Sequence, residues 1–203
     1  MIVIVDYGMG NLRSVQKAVE RCGSEALITD DPHVVARANK VILPGVGAFG
    51  DAMTELDRRG LVKPIVKTIE LGKPFLGICL GLQLLFETSY ENGRHKGLGV
   101  FRGEVVRFDL PKELAVPHMG WNQVRLECPN PLFRGIADEA YFFFVHSYYV
   151  VPRDTEIVSG TTEYGIRFCS MVRQDKVFAV QFHPEKSQAL GLKVIENFVA
   201  LGS

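Results

Sequence analysis

The chain has 203 residues, with 23 Lys plus Arg against 23 Asp plus Glu, zero formal charge, and 47% hydrophobic residues. That balance leaves no electrostatic footprint for nucleic acid, the apolar content excludes disorder as the working state, and the length predicts a single domain over 1–203. Cys22, Cys79, Cys128 and Cys169 stand far apart without a Cys-x-x-Cys pair, so neither a disulfide framework nor a zinc site is expected and a reducing cytoplasm fits best.

Ile2 to Val5 is a continuous apolar run without a basic n-region before it or a long apolar stretch after it, and it predicts a buried strand rather than an export leader. No segment approaches the ~18 apolar residues of a membrane span, so a soluble protein is expected. Leu12, Val15, Ala18, Val19 and Cys22 share one helical face, with Asn11 as the expected cap and Gly23 as the end. Ala26 to Ile28 predicts a second strand, Asp31-Pro32 a helix start, and Lys40 to Leu43 a third strand running into Pro44-Gly45-Val46-Gly47. Pro74 to Ile78 predicts a fourth strand, leading to Cys79 and a helix from Leu80 through Gln83, Leu84 and Phe86. Strand and helix alternating in this order imply a parallel sheet covered on both faces.

The second half has a different texture. Leu98 to Phe108 alternates, and Tyr141 to Val151, Ile166 to Val172 and Val177 to Phe182 are rich in Val, Phe and Tyr. These predict mostly antiparallel strands added to the parallel core. Leu190, Val194, Ile195, Phe198 and Val199 predict a packed final helix over Leu190 to Ala200. The predicted fold class is mixed α/β, with a mainly parallel central sheet, helices on both faces and added antiparallel strands.

Three strand ends carry the chemistry. Gly77-Ile78-Cys79-Leu80-Gly81 has the nucleophile-elbow pattern with Cys in place of Ser. A helix starting there brings a dipole that favours the thiolate, and the Leu80 N–H points where an oxyanion would form. A buried core Cys at a glycine-rich strand end is the competing reading. The apolar run Val177 to Phe182 ends at His183-Pro184-Glu185, where Pro184 restricts the turn and Glu185 can bend back onto the imidazole; a solvated surface turn is the alternative. The Pro44 to Gly47 loop can present N–H groups to a developing charge, or be a plain turn. Gly8-x-Gly10 also follows a strand, but Arg13 stands where a dinucleotide fingerprint needs its third glycine.

In this order and over the whole chain, these motifs resemble class I glutamine amidotransferases, which implies a flavodoxin-like core. Tyr7 to Leu12, Pro44 to Gly47, Pro117 to Asn122 and His183 to Gln188 are similar to the branch that serves as glutaminase subunit of imidazole glycerol phosphate synthases. The resemblance implies a Cys79, His183 and Glu185 triad, an oxyanion hole from Val46, Gly47 and Leu80, and a glutamine pocket lined by Gly45, Gly47, Gln83, Glu91, Ser147 and Tyr148. It implies a heterodimer with a (β/α)8-barrel synthase subunit, because such a barrel needs about 250 residues of its own. Asn11, Met119, Trp121 and Lys186 are the interface candidates, Trp121 as an aromatic anchor although a lone Trp defaults to the core. The Val46 peptide is expected to face the wrong way until the partner binds.

Neither a cofactor nor a metal is expected, since His33, His95, His118 and His146 lack ligand spacing, and His146 is expected to be structural. The alternatives are a glutaminase subunit for another acceptor, such as pyridoxal phosphate synthesis, a stand-alone γ-glutamyl hydrolase, or a non-catalytic binding module that kept the fold.

Overall fold

A computed structural model describes residues 1–202. The first half builds β1 (Ile2–Val5), α1 (Leu12–Arg21), β2 (Ala26–Thr29), α2 (Pro32–Arg37), β3 (Lys40–Gly45), α3 (Phe49–Arg58), α4 (Val62–Glu70), β4 (Phe75–Cys79) and α5 (Leu80–Leu84). The second half adds β5 (Phe86–Ser89), β6 (His95–Lys96), β7 (Phe101–Arg107), β8 (His118–Leu126), β9 (Ala140–His146), β10 (Tyr148–Pro152), β11 (Val158–Glu163), β12 (Arg167–Gln174), β13 (Val177–Val180) and α6 (Gln188–Ala200).

The parallel core runs in the order β2, β1, β3, β4, β13. Its continuous apolar strands arise because both faces are covered. Val3, Val5, Val41, Leu43 and Phe75 pack with Val35, Phe49, Leu56 and Ile65 of α2, α3 and α4. The alternate residues Ile2, Ile4, Ile42, Leu76 and Ile78 pack with Val15, Val19, Val194 and Phe198 of α1 and α6. Strand order reverses between β1 and β3, which opens a crevice at the carboxyl ends of the core strands, the usual ligand position in this architecture.

From β13 the sheet continues antiparallel through β12 and β10 to β7, and then to β5 and β6. β11 branches from β12 to β8, and β8 carries β9.

Several local expectations are corrected. The run Tyr141 to Val151 is two strands that part at Ser147: β9 pairs with β8, while β10 pairs with β7 and β12. Apolar side chains stand on both sides of the break, and the polar pair His146-Ser147 is the sign of the change of partner that the composition carries. The helix after Cys79 stops at Leu84, because Leu98 N–H bonds the Leu84 carbonyl at 2.8 Å and Phe101 N–H bonds that of Leu85 at 3.0 Å. Phe86 therefore begins a strand. Asn11 caps α1 without its side chain, its carbonyl accepting from Ser14 and Val15 N–H. α3, α4, β6, β8 and β11 had no counterpart in the sequence reading. Among the described residues, no helix is long and apolar enough to cross a membrane.

Candidate active site

Cys79 ends β4 with φ 55° and ψ −108°, a backbone region that costs a non-glycine residue about 1–3 kcal/mol. The elbow is wedged against β3, where Gly45 lies opposite Cys79 in register. A Cβ on Gly81 would stand 1.9 Å from the Leu43 carbonyl oxygen, and one on Gly77 2.8 Å from the Gly81 oxygen. Both glycines are thus demanded by backbone packed on backbone. The five-residue α5 offers the N–H groups of a single turn, so the dipole of a full helix that the sequence implied is not built here. Tyr7, buried beneath the loop, donates its hydroxyl to the Pro44 carbonyl at 3.0 Å. Burial, and then the charge of Cys79, raise its phenol well above the ordinary value.

β13 runs parallel to β4 and delivers the continuation of its chain to the same place. The turn after it is a short 3-10 segment, Pro184–Lys186, that folds Glu185 back so that Oε1 lies 2.8 Å from His183 Nδ1. A carboxylate only accepts, so Nδ1 carries the proton and Nε2 is left free to deal with the thiol. Both side chains are almost fully buried, and neither His183 Nε2 nor Glu185 Oε2 has a protein partner among the described residues. Burial opposes charge on His183, but the Cys79 thiolate and then the Glu185 carboxylate outweigh it and push its pKa up to about 10. The sulfur and the carboxylate thus both favour a proton on the imidazole. Ser187 secures the turn, donating to the His183 carbonyl at 2.7 Å and accepting from Phe143 N–H at 2.9 Å.

Cys79 opens into a cavity of about 530 Å³, a size suited to one amino-acid side chain and its head group. Val46, Gly47, Leu80, Gln83, Glu91, Ser147 and Tyr148 all stand in its wall, together with Asn11 and Lys186. Glu91 is anchored by accepting from the first N–H of α3, Phe49, at 2.7 Å. Gly45 is not in the wall; it lies behind it, where an added Cβ would meet the Tyr7 hydroxyl at 2.2 Å. Met119 and Trp121 lie outside the cavity on β8, 64% and 46% exposed, so the lone Trp is not a core residue. Lys186 bridges the two regions, its Nζ 5.9 Å from the Phe143 ring centre, and Phe143 pairs with Trp121 across β8 and β9.

The family model for glutamine amidotransferase class-I matches residues 3–201. The chain is a class I glutamine amidotransferase. Among similar curated proteins, the imidazole glycerol phosphate synthase subunit HisH of Syntrophotalea carbinolica is 56% identical over 203 residues, covering 98% of both chains. The protein of the same name from Rhodopirellula baltica is 58% identical, covering 98% of this chain and 96% of its own. Solved structures share the fold at much lower identity. PurLQS from Thermotoga maritima superposes with a TM-score of 0.75 at 20% identity, over 97% of this chain and 96% of that one. The glutaminase domain of Trypanosoma brucei CTPS, solved with bound acivicin, gives 0.71 at 17%, over 98% and 92%.

Several groups at the site of this amidotransferase escaped the sequence reading. Gln181 is fully buried and reaches the Cys79 sulfur. Its position two residues before His183, at the end of the predicted strand Val177 to Phe182, was the available signal, since residues two apart on a strand share a side. His146, expected only as structural, lies in the cavity wall, and its Nε2 meets His118 Nδ1 at 2.9 Å. Burial lowers both imidazoles, to about 3 for His146 and about 4 for His118, so both are neutral. Pro117, preceded by a cis peptide bond, and Val145 complete the wall. No group of three or more His, Cys, Asp or Glu is placed to hold a metal among the described residues.

Proposed function

We propose that the chain is the glutaminase subunit of an imidazole glycerol phosphate synthase, acting as one domain over 1–203. The observation that carries this reading is identity above one half, along nearly the whole chain, with subunits of that name. In the reaction, the Cys79 thiolate attacks the side-chain amide carbon of glutamine, and the C=O electrons move onto oxygen. The N–H groups of Leu80 and of the Val46 and Gly47 loop receive that oxyanion. The protonated His183 gives its proton to the amide nitrogen, the C–N bond breaks, and ammonia leaves a γ-glutamyl thioester on Cys79. A water deprotonated by neutral His183 then attacks the thioester and releases glutamate. Glu185 keeps the imidazole in the required tautomer and stabilises its cation. The upward shift of His183 supports the acid role, because its neighbours favour the protonated imidazole that this step consumes.

Gln83, Glu91, Ser147 and Tyr148 hold the glutamine head group, with Gly47 letting the backbone approach. The partner is a (β/α)8-barrel synthase subunit in a heterodimer, seated on the face that carries Asn11, Met119, Trp121 and Lys186. Its docking turns the Val46 peptide and completes the oxyanion hole. Ammonia then passes under cover to the barrel, where a phosphorylated aminoimidazole-carboxamide ribonucleotide intermediate becomes imidazole glycerol phosphate and AICAR in cytoplasmic histidine biosynthesis. The exposed apolar side chains of Met119 and Trp121 support this placement of the partner.

The test mixes the purified chain with a candidate barrel synthase and follows glutamate release with and without the nucleotide. The expected result is nucleotide-stimulated hydrolysis that a Cys79→Ser variant loses along with the trappable thioester. Full activity in Cys79→Ser removes the nucleophile assignment, and hydrolysis indifferent to the barrel removes the subunit assignment.

A further inference from the structure

Gln181 is a fully buried polar side chain to which the mechanism above gives no task. Because β13 and β4 run parallel with Val180 opposite Ile78, the next residues, Gln181 and Cys79, meet at the strand ends. Gln181 Nε2 donates to Cys79 Sγ at 3.6 Å. Gln181 Oε1 accepts from Gln83 Nε2 at 3.2 Å.

A side-chain amide can be turned end for end, and only its hydrogen-bond network decides between the two orientations. This network has a fixed end. Gln83 Nε2 also lies 3.1 Å from the Tyr148 carbonyl oxygen, and a carbonyl only accepts. Gln83 must therefore present its NH2 there, and with the second hydrogen of that group it meets Gln181. Gln181 has to answer with its oxygen, which aims its own NH2 at the sulfur. The Tyr148 carbonyl is held in turn by His146 Nδ1 at 2.8 Å. His146 is polarised by His118, and His118 Nε2 accepts from Asn122 Nδ2 at 3.2 Å. Every donor direction follows from the one carbonyl.

We propose that Gln181 is a positioning residue for the nucleophile: its side-chain N–H, oriented by the Tyr148 carbonyl through Gln83, holds the Cys79 sulfur in its attacking direction. The elbow backbone alone leaves χ1 of Cys79 free to rotate among its staggered positions. A donor fixed in space selects one of them and accepts the negative charge of the thiolate. Its effect on turnover rests on the glutaminase reading, whereas its effect on the thiol does not.

The experiment compares wild type, Gln181→Glu and Gln181→Met. Glu keeps the acceptor for Gln83 and loses the donor to sulfur when ionised; Met has a similar length and neither group. Alkylation by iodoacetamide at neutral pH is followed by mass on the peptide carrying Cys79, with the Cys22 peptide as internal reference. Alkylation of Cys79 should slow about tenfold to a hundredfold in both variants, the range for a hydrogen bond to a charged group, with Cys22 unchanged. In complex with the barrel, kcat should fall in parallel in both variants, while KM of Gln181→Glu, which keeps the acceptor for Gln83, stays within about threefold, a split that a general loosening of the fold would not produce. Wild-type alkylation in folded Gln181→Met, or a loss confined to KM, overturns the proposal. In the wild-type chain, where no variant has to fold, alkylating Cys79 must shift the nitrogen and proton resonances of the Gln181 side-chain amide; unmoved resonances overturn it too. A chain that shows the alkylation contrast but never hydrolyses glutamine would keep this inference and lose the proposed function.

Discussion

Replacing Gly81 by Ala tests whether the elbow depends on contact between two backbones. The added methyl carbon would stand 1.9 Å from the Leu43 oxygen, where real contacts essentially never fall below 3.0 Å, so β3 and the elbow have to part by more than an ångström. No flexible side chain can absorb this, because the obstruction is a carbonyl inside the paired ladder of β3 and β4. Overpacking of this kind costs about 1–3 kcal/mol, and a ladder hydrogen bond lost in the shift adds about 1 kcal/mol. The better helix propensity of Ala returns about 1 kcal/mol, which leaves a net loss of about 2 kcal/mol. At about 2–4 °C per kcal/mol for a chain of this size, thermal unfolding should fall by about 4–8 °C. Because Cys79 is carried by the displaced turn, a misplacement near 1 Å should lower glutamine hydrolysis by about a hundredfold in the partnered enzyme. Gly23→Ala is the control: its φ is +78° with nothing within 4 Å of the added carbon, so it should lose about 1 kcal/mol and keep its activity. A Gly81→Ala protein that unfolds with wild type and turns over glutamine normally would refute the packing argument.

Glu185→Gln should lower kcat by about 10²–10⁴-fold by removing the charge that supports the imidazolium. A folded pKa of His183 raised from 6.5 to about 10 contributes stability that is complete below pH 6.5 and lost as pH rises through about 10. Cys79 raises this pKa more than Glu185 does and remains in Glu185→Gln, so the urea-unfolding margin of wild type over Glu185→Gln should hold constant at pH 6.5 and narrow only as pH approaches about 10; a margin independent of pH would contradict the pairing. His118→Asn keeps a donor near the Nδ1 position but cannot titrate. Since the buried His118 refuses the proton that the unfolded chain accepts, stability should drop as pH falls from 6.5 toward about 4, and the variant should flatten that slope. Identical acid limbs in the two proteins would speak against a neutral buried pair. Trp121→Ala should weaken binding to the barrel by about thirtyfold, the scale of an aromatic anchor, while leaving the unfolding temperature nearly unchanged because the indole is already 46% exposed. An unaltered Kd, read by titration calorimetry, would remove β8 from the interface.

How much was legible depended on the range of the forces involved. The strands β1, β3, β4 and β13 announce themselves because a segment covered on both faces must be apolar throughout, and Cys79 and His183 announce themselves by ending such segments. The position of Glu185 was legible for the same local reason, a two-residue turn restricted by Pro184. β8 was missed because its exposed side carries Met119 and Trp121, which break the polar half of the usual alternation. The stop of α5 at Leu84 was missed because it is imposed by hydrogen bonds from Leu98 and Phe101, more than ten residues away.

The order of residues along the chain by itself determined an alternating α/β core, three reactive strand ends and the family pattern. Only the folded chain decided that Gln181 faces the sulfur, that His118 and His146 form a neutral buried pair, and that Gly45 lies behind the cavity while Val46 and Gly47 line it. The physical reason is that periodicity and turn chemistry are written in neighbouring residues. The direction of a hydrogen bond, the charge of a buried imidazole and the closeness of two backbones are settled by groups that meet only when distant strands pair.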